Sequence, residues 1–265
     1  MKSNFVKLLS LVIIFSIVPL GIVRSEVLAE TIHSYPDIIP TIDGAFNEAA
    51  WKSELAKNIT LYNITNQEDT IEISIMSVYD AINGSIVFAL TIPDETMGID
   101  VLMIAFRTNI TGDFIQKNPN WGFNTNCDLK IYYASANTSG DGVTDWYIFD
   151  GNHDTSVTGT NDVIAKGTYI DNNYNIELFT ELDSGDIDGS DFSLSEKDKI
   201  DFFIWYRDSS TSTTYSQVRV TDDDFDYCVL VVGKPGLPLY ALMLIIIAGT
   251  ILIILIIILV ARKKR

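Results

Sequence analysis

The chain has 265 residues, 47% of them apolar, with 35 acidic against 18 basic side chains, a formal charge of -17 and a pI near 4.3. So large an apolar fraction excludes a disordered chain or a coiled coil, and the negative field excludes a nucleic-acid binder by repelling phosphate. Both ends are hydrophobic and basic, so the acidic excess belongs to the middle.

Residues 1–29 carry Lys2 and Lys7, then an apolar run over 8–23 broken only by Ser10, Ser16, Pro19 and Gly21, then Val27-Leu28-Ala29 at a cleavage position. This pattern predicts a secretory signal peptide. An uncleaved anchor would export the chain equally well.

Residues 30–236 form the expected extracytoplasmic domain. They hold 34 acidic and 11 basic side chains, a balance of -23. Such a surface favours solubility or divalent cations over anionic partners. No Pro/Gly/Ser-rich linker divides it, so one domain is expected, with its core over 40–232. Its only helical signal is a turn or two at 47–55. Alternation of apolar and polar residues then predicts strands. Ile71, Ile73 and Ile75 share one face; further strands read at 86–90, 101–106, 129–134, 146–149, 163–169, 174–182, 200–206, 215–220 and 227–232. Asn83-Gly84 and Ile170-Asp171-Asn172-Asn173 supply turns between them. The fold class is therefore all-β: a single antiparallel, jelly-roll-like β-sandwich.

Five sequons, at Asn58, Asn63, Asn83, Asn109 and Asn137, accord with export and are candidate glycosylation sites. The two cysteines, Cys127 and Cys228, open two predicted strands and could pair as a disulfide outside the cell or remain buried thiols. With only His33 and His153 and no cysteine cluster, a structural zinc site is excluded.

Residues 237–261 contain no charge and would span about 37 Å as a helix, against about 30 Å of hydrocarbon. Arg262, Lys263, Lys264 and Arg265 follow at once, and the positive-inside rule places them in the cytoplasm. The expected topology is a single-pass cell-membrane protein with its N-terminal domain outside.

The opening Pro40-Thr-Ile-Asp43-Gly44-Ala-Phe-Asn-Glu48-Ala-Ala-Trp51 resembles the start of carbohydrate-binding module family 9 and its DOMON-like β-sandwich relatives. In physical terms Asp43-Gly44 makes a turn and Trp51 plugs the end of the sandwich. Further on, Gly167-Thr-Tyr169, Tyr174-Asn-Ile-Glu-Leu178, Leu182-Asp183-Ser-Gly-Asp186 and Ile200-Asp-Phe-Phe-Ile-Trp205-Tyr-Arg-Asp208 are similar to a narrower relative. That is the haem-binding domain of the cytochrome c-552 and dimethyl-sulfoxide-reductase type, which includes the γ subunit of ethylbenzene dehydrogenase. The resemblance implies haem b held by a Met and a Lys, in an electron-transfer or sensing domain. Here Trp121 stands near the Met position, and Gln217 and Arg219 stand near the Lys position, leaving Met97 or Met103 as substitutes.

Flat aromatic faces suit sugar stacking or cofactor walls. The candidate ligand-binding residues are Trp121, Tyr133, Trp146 and Trp205, with Tyr132, Tyr147 and Tyr206 as neighbours; strand alternation sends half of the set into the core. The loops Asp141–Asp145, Asp183–Asp191 and Asp222-Asp223-Asp224 offer carboxylates among glycines, either as solvated turns or as a structural calcium site. No catalytic motif is present, so an enzyme is not expected. The function read from the sequence is thus a surface-anchored, ligand-binding module of the haem-domain type, alternatively one that binds carbohydrate or a protein.

Overall fold

The computed structural model describes residues 30–107, 127–134, 142–149, 152–154, 163–183, 192–217, 228–234, 247–251 and 253. Among them run thirteen strands: β1 (Thr31–Pro36), β2 (Lys57–Asn63), β3 (Thr70–Asp80), β4 (Ser85–Pro93), β5 (Val101–Arg107), β6 (Cys127–Tyr133), β7 (Gly142–Phe149), β8 (Asn152–Asp154), β9 (Ile164–Ile170), β10 (Asn173–Glu181), β11 (Lys199–Asp208), β12 (Thr213–Ser216) and β13 (Cys228–Val232). The fold is all-β, as the alternation predicts. β1, β2 and β8 are additional to the strands read from sequence.

The strands form one sheet in the order β8-β7-β6-β5-β11-β12-β2-β3-β4-β10-β9. This sheet folds over on itself, so that Phe88 and Leu90 of β4 and Ile176 and Leu178 of β10 share a core with Ile104 of β5 and Phe202 of β11. At the fold the two layers are joined. β1 pairs in parallel with β3 and with β13, and β13 pairs with β11. Six strands, β11-β12-β2-β3-β1-β13, therefore close a ring. A purely antiparallel sandwich is corrected on this point: β1 lies between two strands that run its own way.

The turns follow local chemistry. Asp80 closes the β3–β4 hairpin by accepting from the N–H of Ile82 (2.8 Å) and of Asn83 (3.2 Å), and Gly84 takes φ +65°. Between β9 and β10, Asp171 and Asn172 adopt φ 52° and 61°, the double left-handed geometry of a two-residue hairpin that Asp and Asn tolerate. Inside the core, Lys130 on β6 is fully buried and paired with Asp128 (Nζ–Oδ1 3.2 Å), 5.6 Å from the Phe192 ring.

The segment between β1 and β2 corrects the expectation for Trp51. It does not plug an end; it lies across the outer face of β3, β4 and β10, where Trp51 packs with Val78, Val87 and Ala89. The expected helix there shrinks to a 3-10 turn, Ser53–Leu55. What holds the segment is Glu177 of β10, fully buried. Its Oε2 accepts from the N–H of Asp43 (2.9 Å) and Gly44 (2.8 Å), and its Oε1 accepts from Trp51 Nε1 (2.7 Å). The Ile-Asp-Gly turn and the tryptophan are thus two halves of one carboxylate-binding arrangement. Gly44, at φ +81°, approaches so closely that a Cβ there would sit 2.9 Å from the Gly167 carbonyl carbon. A Cβ on Gly167 would in turn meet the buried Tyr132 hydroxyl at 2.2 Å.

Among the described residues no helix is long and apolar enough to cross a membrane. Residues 1–29 and most of 237–265 lie outside the described residues; 247–251 and 253 are helical, with Ile247, Ile251 and Ile253 exposed.

Burial raises the Glu177 carboxyl above its ordinary value, against the three hydrogen bonds that favour the anion. Its contribution to stability is therefore greatest below pH 4.5 and declines as pH rises through the higher folded-state value. Glu177→Ala, which strands three donors, is expected to cost about 3 kcal/mol in urea melts at neutral pH. Glu177→Gln should show a deficit that narrows with rising pH; a deficit that widens would contradict this assignment.

Candidate functional site

One end of the sandwich gathers the β4–β5 loop, the β9–β10 turn and the β11–β12 turn. Asp94, just after β4, donates its N–H to Asn172 O (3.0 Å), which ties the first two together. Asp94, Asp100 and Asp208 are all buried, at 7%, 1% and 9% exposure, and each offers an oxygen within 4.8 Å of the others.

Two of these aspartates are placed by the turns they cap. Asp94 Oδ1 accepts from Thr96 N (2.8 Å) and Thr96 Oγ1 (3.2 Å). Asp208 Oδ1 accepts from Ser210 N (2.8 Å), Ser210 Oγ (2.6 Å) and Thr211 N (3.2 Å), and its Oδ2 accepts from Thr211 Oγ1 (2.6 Å). Short polar side chains that bind the backbone two or three residues on are the usual means of ending a strand in a tight turn. Asp100 is different. Its Oδ1 accepts from Ser209 N (2.7 Å), while its buried Oδ2 has no hydrogen-bond partner.

The surrounding tyrosines are already engaged. Tyr206 donates to Asp94 Oδ2, Tyr174 donates to Gly98 O (3.1 Å) and accepts from Gly98 N (2.8 Å), and Tyr169 donates to Asp94 O (2.9 Å). Burial, with repulsion from Asp208 and Asp100, pushes the Asp94 carboxyl up against the bonds from Tyr206 and Thr96. Burial acts the same way on Asp208, but its bonds from Ser210 and Thr211 together outweigh it and hold that carboxyl down. Burial first, then the neighbouring carboxylates, pushes the Tyr206 and Tyr174 phenols up. Such an arrangement can hold a cation or a shared proton.

The aromatic candidates fall elsewhere. The inward face of the β5–β6–β11 layer takes Tyr132 and Tyr206 into the core, as alternation demands. The second face takes the other set: Trp205 is in register with Met103 and, through it, Ile131, while Tyr133 is in register with Val101. Trp146 stands opposite Leu129, hence in the same row as Ala105 and Phe203. Tyr133 and Trp205 thus lie on one face of one sheet, and Trp146 holds a register position in line with them. Trp205 is buried and Tyr133 half-buried, with burial raising the Tyr133 phenol. Trp121 lies outside the described residues. At the position expected for a haem-ligating Lys, Gln217 is buried; it accepts from Ile204 N (2.8 Å) and donates to Cys228 Sγ (2.9 Å). Met97 is exposed and Met103 buried; Arg219 lies outside the described residues.

The disulfide is corrected. Cys127 opens β6 and Cys228 opens β13, and β5 and β11 run between those two strands. Three strand spacings separate the cysteines by about 14 Å, against roughly 4.4–6.8 Å between the Cα atoms of a disulfide. Cys228 is a buried thiol.

The sequons divide. Asn58 and Asn83 are exposed, whereas Asn63 is buried and committed, donating to Asp69 Oδ2 (2.7 Å) and accepting from Thr65 N (2.9 Å). Asn109 and Asn137 lie outside the described residues. Of the acidic loops, the 142–145 stretch belongs to β7 and Asp183 bridges to Ser193; the remainder lies outside the described residues. Sequence reading missed the Asp94, Asp100 and Asp208 group. Its available signal was Asp94-Glu-Thr96 and Asp208-Ser-Ser-Thr211, each an Asp at a strand end with a hydroxyl two or three residues on.

No protein-family model and no curated protein matches the chain. Among solved structures it is similar to a "putative carbohydrate-binding protein" from Bacteroides uniformis ATCC 8492, at 8% identity and a TM-score of 0.49, over 77% of this chain and 99% of that one. The resemblance to the haem-binding domain accordingly rests on the quoted residues alone.

Alkylation of the denatured, unreduced protein is expected to modify both Cys127 and Cys228. Recovery of a cross-linked peptide pair by mass mapping would contradict the strand order.

Proposed function

We propose that the protein is a non-catalytic binding module, exported and held at the cell surface by residues 237–261, and that its ligand is a carbohydrate. The observation that carries the ligand class is the register of Tyr133, Trp146 and Trp205 on the second face of the β7-β6-β5-β11 layer, outside the core shared with β4 and β10. On that face Trp205 is buried and Tyr133 half-buried, so Tyr133 is the ring that can meet the flat side of a sugar. The anchoring rests on the charge-free length of 237–261 and the four cations after it, and the export on the pattern of 1–29. Haem is the weaker reading, because Gln217 already spends its amide on Ile204 and Cys228.

The test uses the full chain in detergent, screened on a glycan array and offered haem b. Glycan retention is expected, and Tyr133→Ala should weaken it by about tenfold, the equivalent of about 1.4 kcal/mol. A Soret band that shifts on reduction, with no glycan retained, would overturn the carbohydrate reading. Protease added to intact cells should digest residues 30–236, and protection of that domain would overturn the topology.

A further inference from the structure

We propose that Asp94, Asp100 and Asp208 bind a divalent cation of the calcium type, which fastens the β4–β5 loop to the β11–β12 turn. Three buried carboxylates converge within 4.8 Å, and among the described residues none of the three is paired with a Lys, Arg or His. Burying that much negative charge uncompensated is costly. The nearby donors resolve it only in part: Tyr206 spends its proton on Asp94, the Tyr174 hydroxyl stands between the Gly98 carbonyl and the Asp100 carboxyl, and the Ser209 N–H serves Asp100 Oδ1. Asp100 Oδ2 is left buried with no partner at hydrogen-bond geometry, in a residue 1% exposed. A buried carboxylate oxygen so placed, beside two further carboxylates, is the environment a cation completes.

The donor set selects the class of ion. All three side chains offer oxygen, which hard cations take, whereas zinc and copper favour imidazole or thiolate. The spacing also agrees. Calcium holds its ligands at about 2.3–2.6 Å, so two oxygens on one ion stand up to about 5 Å apart. The three oxygens fit one such shell as they stand. Asp94 and Asp100 come from one loop and Asp208 from another element, so occupancy joins segments more than a hundred residues apart in sequence.

The experiment takes the full chain in detergent, stripped with EDTA and returned to calcium-free buffer. Terbium should give tyrosine-sensitised emission through Tyr206 and Tyr174, and calcium should displace it. A hundredfold excess of calcium over its dissociation constant should raise Tm by about 5 °C. Asp100→Asn, which keeps an acceptor for Ser209, should weaken calcium binding by at least about tenfold, a loss of one charged ligand. Asp171→Asn, an equal charge change on the neighbouring turn, should leave it intact. Should Asp100→Asn not fold, amide exchange in the wild type decides: calcium should slow exchange over 94–100 and 208–212. Absence of sensitised emission, calcium binding undiminished in Asp100→Asn, or unchanged exchange at those amides would each overturn the proposal.

Discussion

The ring of six strands closes on β1, and the rest of the architecture depends on that short strand. Its four pairs with β13 and three with β3 satisfy backbone groups on both sides, so neither neighbour is left as an open edge. Side chains reinforce the junction. Ser34 and Ser77, both buried, share a hydrogen bond of 2.8 Å, and Ser77 also donates to Val87 O (3.1 Å). Beyond it, Gly233 N donates to Ser34 O (2.8 Å), which fixes the chain as it leaves β13. With the sheet closed there, its two long arms can face each other and bury the core between them. The strand also delivers the following segment to the outer face, where Glu177 can hold it.

Buried acids are the recurring problem of a domain this acidic, and the fold answers it in different ways. Asp128 is given an ammonium group, Lys130, in the core. Such a pair offsets its own desolvation only when the geometry is good. Glu177 is given two main-chain N–H groups and an indole N–H, so its partners carry no charge. Asp208 is given hydroxyls and N–H groups from its own turn. Asp100 receives one main-chain N–H, from Ser209, on Oδ1, while its Oδ2 is left without a partner at hydrogen-bond geometry.

Much of this was legible because strands announce themselves by alternation. β3, β4, β10 and β11 alternate or run apolar over many residues, and Asp171-Asn172 marks its hairpin plainly. β1 was not legible, since His33, Ser34 and Pro36 read as a loop and its parallel partners are distant in sequence. β2 alternates through Ile59 and Leu61, but only over a short stretch among polar residues. The cysteines misled because both begin strands, which says nothing of how many strands run between them. The register that sets Tyr133 and Trp205 on one face depends on strand order, which the sequence does not carry. The aspartate group stayed hidden because strand order, and not sequence spacing, brings position 208 beside 94 and 100.

The direction of each strand gives the domain two unlike ends. β11 runs from the level of Val231 to the aspartate end, and β13 runs the opposite way, so the chain departs at Gly233 from the end farthest from Asp208. Nine residue steps along β11, from Lys199 to Asp208, separate the two levels, about 30 Å at 3.3 Å per residue. Gly233 and the aspartate group are therefore at opposite ends of the sandwich. Met97, 44% exposed, and Ile99, 65% exposed, crown that far end. A ligand that comes to this end meets two exposed apolar side chains beside three buried carboxylates.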